Sequence, residues 1–128
     1  MKVFRRRVKH VGTDSIFESA VRSRNDLAGV FEYDGESAYF YLYRTSAAAG
    51  QKVVAAIPIF SGDPDFDESE LAIRWDAEEI LVALIIAGEA WAAFDARSGA
   101  TYGGGYRKGG TPRLPREVRD AFEPPATT

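Results

Sequence analysis

Hydrophobic positions recur with a period of two along much of the chain, the mark of strands whose alternate side chains face opposite sides of a sheet. Leu71, Ile73 and Trp75 fall on one face and Glu70, Ala72 and Arg74 on the other, which predicts a half-buried antiparallel strand. Val53 to Phe60 and Ile80 to Ala87 are apolar on both faces and rich in β-branched residues, so they read as central strands buried on both sides. Pro58, inside the first of these, cannot donate to a ladder and predicts a bulge or an edge position. Gly88-Glu89 closes the second run and Ala90 to Asp95 resumes an extended pattern, so a short hairpin is expected there rather than a helix. Asp34-Gly35, between Gly29 to Tyr33 and Ser37 to Arg44, predicts another hairpin, with a tight turn whose two central residues take positive φ.

Helical spacing is found at the C-terminal end. Leu114, Val118 and Phe122 stand at i, i+4 and i+8 around Pro115, a residue suited to a helix start, and predict one short C-terminal helix. The fold class expected is mainly β: an antiparallel meander of about eight strands forming a sandwich or a partly open barrel. With 128 residues the chain reads as a single β-rich domain over residues 1–122, followed by a disordered tail over 123–128. A domain of this length buries roughly two thirds of its unfolded surface and needs no covalent or metal staple.

Composition narrows the chemistry. The absence of cysteine rules out disulfides, thiolate metal sites and a cysteine nucleophile, and the single histidine, His10, rules out multi-histidine metal centres. No cofactor is expected. Met1 to Arg7 is basic but leads into no apolar run, and Ile80 to Ala87 is far shorter than the roughly 20 residues of a membrane span, so a cytoplasmic protein without membrane contact is expected. The formal net charge of −3 conceals segregation: residues 1–24 carry +5, 25–43 carry −4, 44–62 carry +2, 63–80 carry −7 and 81–128 carry +1. Such polarity favours oriented association with a charged partner if the fold keeps the segments apart.

Several stretches invite a specific chemistry. Asp63-Pro64-Asp65-Phe66-Asp67 begins like a calcium loop, yet Glu68 stands where that loop needs glycine and Arg74 where it needs a bidentate glutamate. The same stretch, extended to Glu70, reads as a solvated acidic loop or as a docking surface for a basic partner. Arg5, Arg6, Arg7, Lys9 and His10, with Arg22 and Arg24, carry the charge of a nucleic-acid footprint. On a strand, however, they divide between two faces, and the more economical role is protection of a sheet edge. Tyr39, Tyr41 and Tyr43 share one strand face while Phe40 and Leu42 share the other, an arrangement that lines a ligand pocket or covers a core with wet hydroxyls. The glycines of Tyr102 to Gly110 match neither the Walker pattern nor a dinucleotide loop, and predict a flexible loop. There is no G-x-S-x-G nucleophile and no histidine placed for a triad.

Two stretches resemble a small bacterial family of domains of unknown function. Phe31-Glu32-Tyr33-Asp34-Gly35-Glu36-Ser37-Ala38-Tyr39-Phe40-Tyr41 is similar to its FEDDGxTGYFYA signature, with Tyr33 where the family more often has Asp. Ile73-Arg74-Trp75, Ala83-Leu84-Ile85-Ile86 and Ala92-Ala93-Phe94-Asp95 are similar to its W…AxLxI…AxFD region, and Gly105-Tyr106-Arg107 to its GY-x-R turn. The resemblance implies a compact β-rich bacterial protein and transfers no catalytic residue. It adds to the expectation of a non-enzymatic protein-binding module, most concretely an immunity-type inhibitor that presents Asp63, Asp65, Asp67, Glu68 and Glu70 to a basic toxin, with Phe66 as apolar anchor. The alternative is a small-ligand-binding or hydrolytic β-barrel whose pocket is lined by Tyr39, Tyr41, Tyr43 and Trp91, and the third reading is a nucleic-acid binder.

Overall fold

The computed structural model describes residues 2–10, 13–46 and 52–122, with side chains from residue 15 onward. Two antiparallel meanders follow one another along the chain. The first sheet runs β1 (Lys2–His10), β2 (Thr13–Val21), β3 (Leu27–Tyr33), β4 (Ser37–Arg44) and β5 (Val53–Ser61), in that spatial order. The second runs β6 (Leu71–Trp75), β7 (Leu81–Ile86), β8 (Glu89–Asp95) and β9 (Thr101–Gly103), and a single α-helix, α1 (Arg116–Asp120), follows. The two sheets pack as an open sandwich of nine strands among the described residues, β9 being a three-residue strand inside the glycine-rich stretch expected to be loop.

Alternation places Phe31, Phe40 and Leu42 of the first sheet against Ile73, Leu84 and Phe94 of the second, all fully or nearly fully buried in one core. Phe40 and Phe94 meet across the interface with ring centroids 5.0 Å apart. Gly29 faces the same interface because nothing larger fits: a Cβ there would lie 2.7 Å from Val82 Cγ2 and 2.9 Å from Ile73 Cγ2. The Trp75 indole N–H crosses the gap to donate to the Ala20 carbonyl at 2.9 Å.

β7 and β8 are buried on both faces for a reason the strand pattern alone does not disclose. Their outer face, Ala83, Ile85 and Ala93, is covered by Leu114, Val118 and Phe122, the three residues at helical spacing. The second sheet is thus a middle layer between the first sheet and the C-terminal segment.

Three expectations are corrected. β5 is not a central strand buried on both faces: it pairs only with β4, and Val53, Val54, Ala56 and Pro58 are exposed while Ile57 and Ile59 alone are fully buried. Its apolar outward residues share a sheet face with the tyrosines of β4, and the register slips beside Pro58, where Ala38 opposes Phe60 and Tyr39 opposes Pro58. The Asp34 hairpin forms, but through a three-residue connection in which only Gly35 takes positive φ, at 96°. Asp34 instead accepts the Glu36 and Ser37 amides at 2.8 Å through its side chain, the Asx device that suits it to turns. The two-residue turn with both φ positive is Ala87-Gly88, at 52° and 84°. Finally, Gly103 to Tyr106 is no free loop. Gly104 donates to the Trp91 carbonyl, Gly105 to Pro58 and Tyr106 to Ile59, so the segment crosses from β8 to the open edge of β5.

Candidate functional site

The acidic stretch after β5 lies at one end of the sandwich. The Gly62 amide donates to the Glu36 carbonyl at 2.7 Å, which joins this stretch to the β3–β4 turn, and the Ala87 amide donates to the Glu70 carbonyl at 3.0 Å, which joins it to the β7–β8 turn. Three connections therefore meet at this end. They bring Asp34, Glu36 and Glu89 beside Asp63, Asp65, Asp67, Glu68 and Glu70; all are exposed except the half-buried Glu68. Arg107 and Lys108 are exposed on the segment after Tyr106.

The predicted −7 segment is divided by β6. Asp76, Glu78 and Glu79 go to the opposite end, where Asp76 accepts the Ile80 and Leu81 amides and Glu79 accepts from Ser23. Arg22 and Asp26 form a paired contact there at 2.7 and 2.8 Å, and Arg97 reaches Asp95 at 2.9 Å. The Arg22 hydrogen bond holds the Asp26 carboxyl down at about 2, against the opposing effect of burial. Arg22 also donates to the Glu79 carbonyl and lies 5.6 Å from the Trp75 ring centre, so it is committed to the fold rather than to a phosphate.

Each acidic residue has a local place. Asp67 and Glu70 form a reciprocal capping box around the short 3-10 turn Glu68–Glu70, with the Asp67 amide donating to Glu70 Oε1 at 2.9 Å. Asp65 is hydrogen-bonded to the Tyr106 hydroxyl; burial, and then this bond, push that phenol up to about 12. Phe66 is half-buried, and its ring stands edge-on to Phe60 at 5.7 Å and Tyr106 at 5.4 Å, part of an aromatic group that continues to Trp91. Phe66 thus holds the acidic loop to the body. Among the described residues no three acidic or histidine side chains are arranged to hold a metal ion.

The pocket expected from Tyr39, Tyr41, Tyr43 and Trp91 is not assembled. Trp91 is buried between the sheets against Tyr106, while the tyrosines stand on the outer face of the first sheet, Tyr39 and Tyr41 stacked at 5.9 Å. Among the described residues the side chains between the sheets form one buried cluster. What the outer face does form is a shallow trough of about 460 Å³ along β3, floored by Ala28 and Val30 and walled by Phe17 of β2 and by Tyr41 and Tyr43 of β4, with Glu32 at one end. The grouping of β2 with β4 across β3 depends on pairings distant in sequence, so the alternation of β4 by itself points to neither Phe17 nor Glu32.

β1 is an edge strand, where a run of basic residues suits protection of the edge; its side chains, including those of Arg5, Arg6, Arg7, Lys9 and His10, lie outside the described residues, as does the tail 123–128. Glu18 of β2, unremarked in sequence, is 1% exposed in the core, in register with Arg5 of β1. Among the described residues no helix is long and apolar enough to cross a membrane.

No curated protein and no solved structure matches the chain. One family model does, over residues 9–115, a span that includes both stretches on which the resemblance to a bacterial family of unknown function rests. The chain belongs to the family described as an uncharacterized protein conserved in bacteria (DUF2251).

Proposed function

We propose that this protein is a non-enzymatic cytoplasmic binding module whose carboxylate-rich end docks a basic protein partner, most concretely as an immunity-type inhibitor of a bacterial toxin. The observation that supports the reading is the convergence of three connections, which raises five carboxylates from one loop to eight at one end of the sandwich. Charge of one sign gathered on one surface steers a partner of opposite sign and enforces its orientation. The loop is braced for that role by Phe66 and by the bond from Tyr106 to Asp65, so little ordering entropy is lost on association.

The test is retention of a partner from the source bacterium on tagged protein, comparing the native chain with a Glu36→Lys, Asp63→Lys, Glu89→Lys variant and with a Glu78→Lys variant altered at the opposite end. A single stoichiometric basic protein, toxic when expressed alone and neutralised by co-expression, held by the native chain and by Glu78→Lys but lost by the triple variant, supports the reading. Equal retention by all three, or none by the native chain, overturns it.

A further inference from the structure

The trough on the outer face of the first sheet is independent of the acidic end and has a chemistry of its own. Ala28 and Val30 point away from the second sheet and are nevertheless buried, because the side chains of β2 and β4 rise on either side of them. Two strand spacings separate these walls, roughly 10 Å, and from Ala28 to Glu32 the floor runs about 13 Å. Its lining is mostly apolar and aromatic along that length, with the hydroxyls of Ser19 and Thr45 also on it. At one end the register sets Phe17, Glu32 and Tyr39 side by side on β2, β3 and β4, so the exposed Glu32 carboxylate stands between two aromatic residues, with the Tyr39–Tyr41 stack behind it. Tyr41 lines the trough, and burial, and after it the Glu32 charge, raise its hydroxyl above the ordinary range.

A carboxylate flanked by π-faces recognises a weakly hydrated cation, and an apolar trough leading away from it takes a hydrocarbon tail. We infer that this trough binds a small organic cation with an apolar tail, an alkylammonium or quaternary ammonium compound, its head between Phe17, Glu32 and Tyr39 and its tail over Val30 and Ala28 beside Tyr41 and Tyr43. Neither the family description nor the acidic-end reading assigns this face a ligand.

Three six-carbon probes isolate the charge of the head: hexyltrimethylammonium, hexanol and hexanoate, each titrated into isotope-labelled protein with amide chemical shifts as readout. The expected result is shifts centred on β2, β3 and β4 around Val30, Glu32 and Tyr41, with the cation bound about fivefold more tightly than the alcohol and hexanoate weakest. Glu32→Gln, an exposed substitution whose fold is checked by its unaltered melting, brings the cation to the affinity of the alcohol, and Asp63→Asn at the acidic end changes nothing. Hexanoate binding as tightly as the cation, cation shifts centred on Asp63 to Glu70, or no saturable binding of any probe overturns the inference.

Discussion

Tyr106 joins three parts of the molecule with one side chain. Its amide bonds the β5 edge at Ile59, its ring packs edge-on to Trp91 at 4.8 Å, and its hydroxyl holds Asp65. Replacing it with phenylalanine keeps the packing and removes one hydrogen bond, so Tyr106→Phe is expected to cost about 1 kcal/mol and to lower the melting temperature by about 4 °C. The pH dependence gives a sharper check. The folded-state pKa is raised, so the stabilisation is complete below the unfolded value near 10 and is lost as pH rises through about 12. Denaturant melts across that window should show a shallower alkaline decline for Tyr106→Phe than for the native chain; parallel curves would place the phenol in water. Asp26 works in the opposite direction. Its folded-state pKa lies at about 2, below the ordinary aspartate value of 3.8, so its contribution is present above about pH 4 and lost as pH falls through 2. Asp26→Asn is expected to cost no more than about 1 kcal/mol at pH 7, because the carboxylate is 43% exposed, and its stability curve should approach the native one as pH falls through 2.

At the scale of elements, the glycines after β8 decide whether the two sheets are tied at this edge. Gly103 has φ of 76°, and a Cβ there would run into the Trp91 carbonyl and lie 2.7 Å from Leu114 Cδ2, so Gly103→Ala combines a strained backbone with a collision it cannot relieve. A loss of about 3 kcal/mol is expected. Gly105 also has positive φ, 62°, but open space around its Cα, so Gly105→Asn should lose less than about 1 kcal/mol. Comparable losses at the two positions in chemical denaturation would mean that conformation, not contact, governs the strap. The alternation of Leu71 to Trp75 and the spacing of Leu114, Val118 and Phe122 were legible because each is a local periodicity with one apolar face, and the double-sided burial of β7 because the run from Ile80 to Ala87 is apolar at every position. β5 was misread because composition does not distinguish burial by a second sheet from an outward face shared with tyrosines: Val53 is apolar and 49% exposed. The acidic loop was visible as a run of charge, but its enlargement by Asp34, Glu36 and Glu89 depends on turns meeting in space. The trough was half visible for a related reason. Tyr41 and Tyr43 share a strand period, while Phe17 and Glu32 reach them only through sheet order.

On the scale of the whole molecule, the two outer faces are finished differently, and the difference sets what each is free to do. The outer face of the second sheet is closed by the chain itself, through Leu114 ahead of α1, Val118 within it and Phe122 after it. A helix of five residues has too few internal bonds to persist alone, so this segment is held by those three apolar contacts and holds the sheet in return. The outer face of the first sheet keeps its tyrosines and Val53 at the surface and carries the trough. Loosening the C-terminal clasp should therefore unmask Ala83, Ile85 and Ala93 without altering the trough directly. Phe122→Ala is expected to cost about 3 kcal/mol, within the usual range for a buried phenylalanine. Amide exchange would locate the effect. Faster exchange in β7 and β8, with β3 and β4 exchanging only as fast as the global loss of stability requires, would identify the clasp as a local closure on the middle layer. Uniform acceleration in both sheets would instead show that the sandwich opens as one unit and that its two faces are energetically a single body.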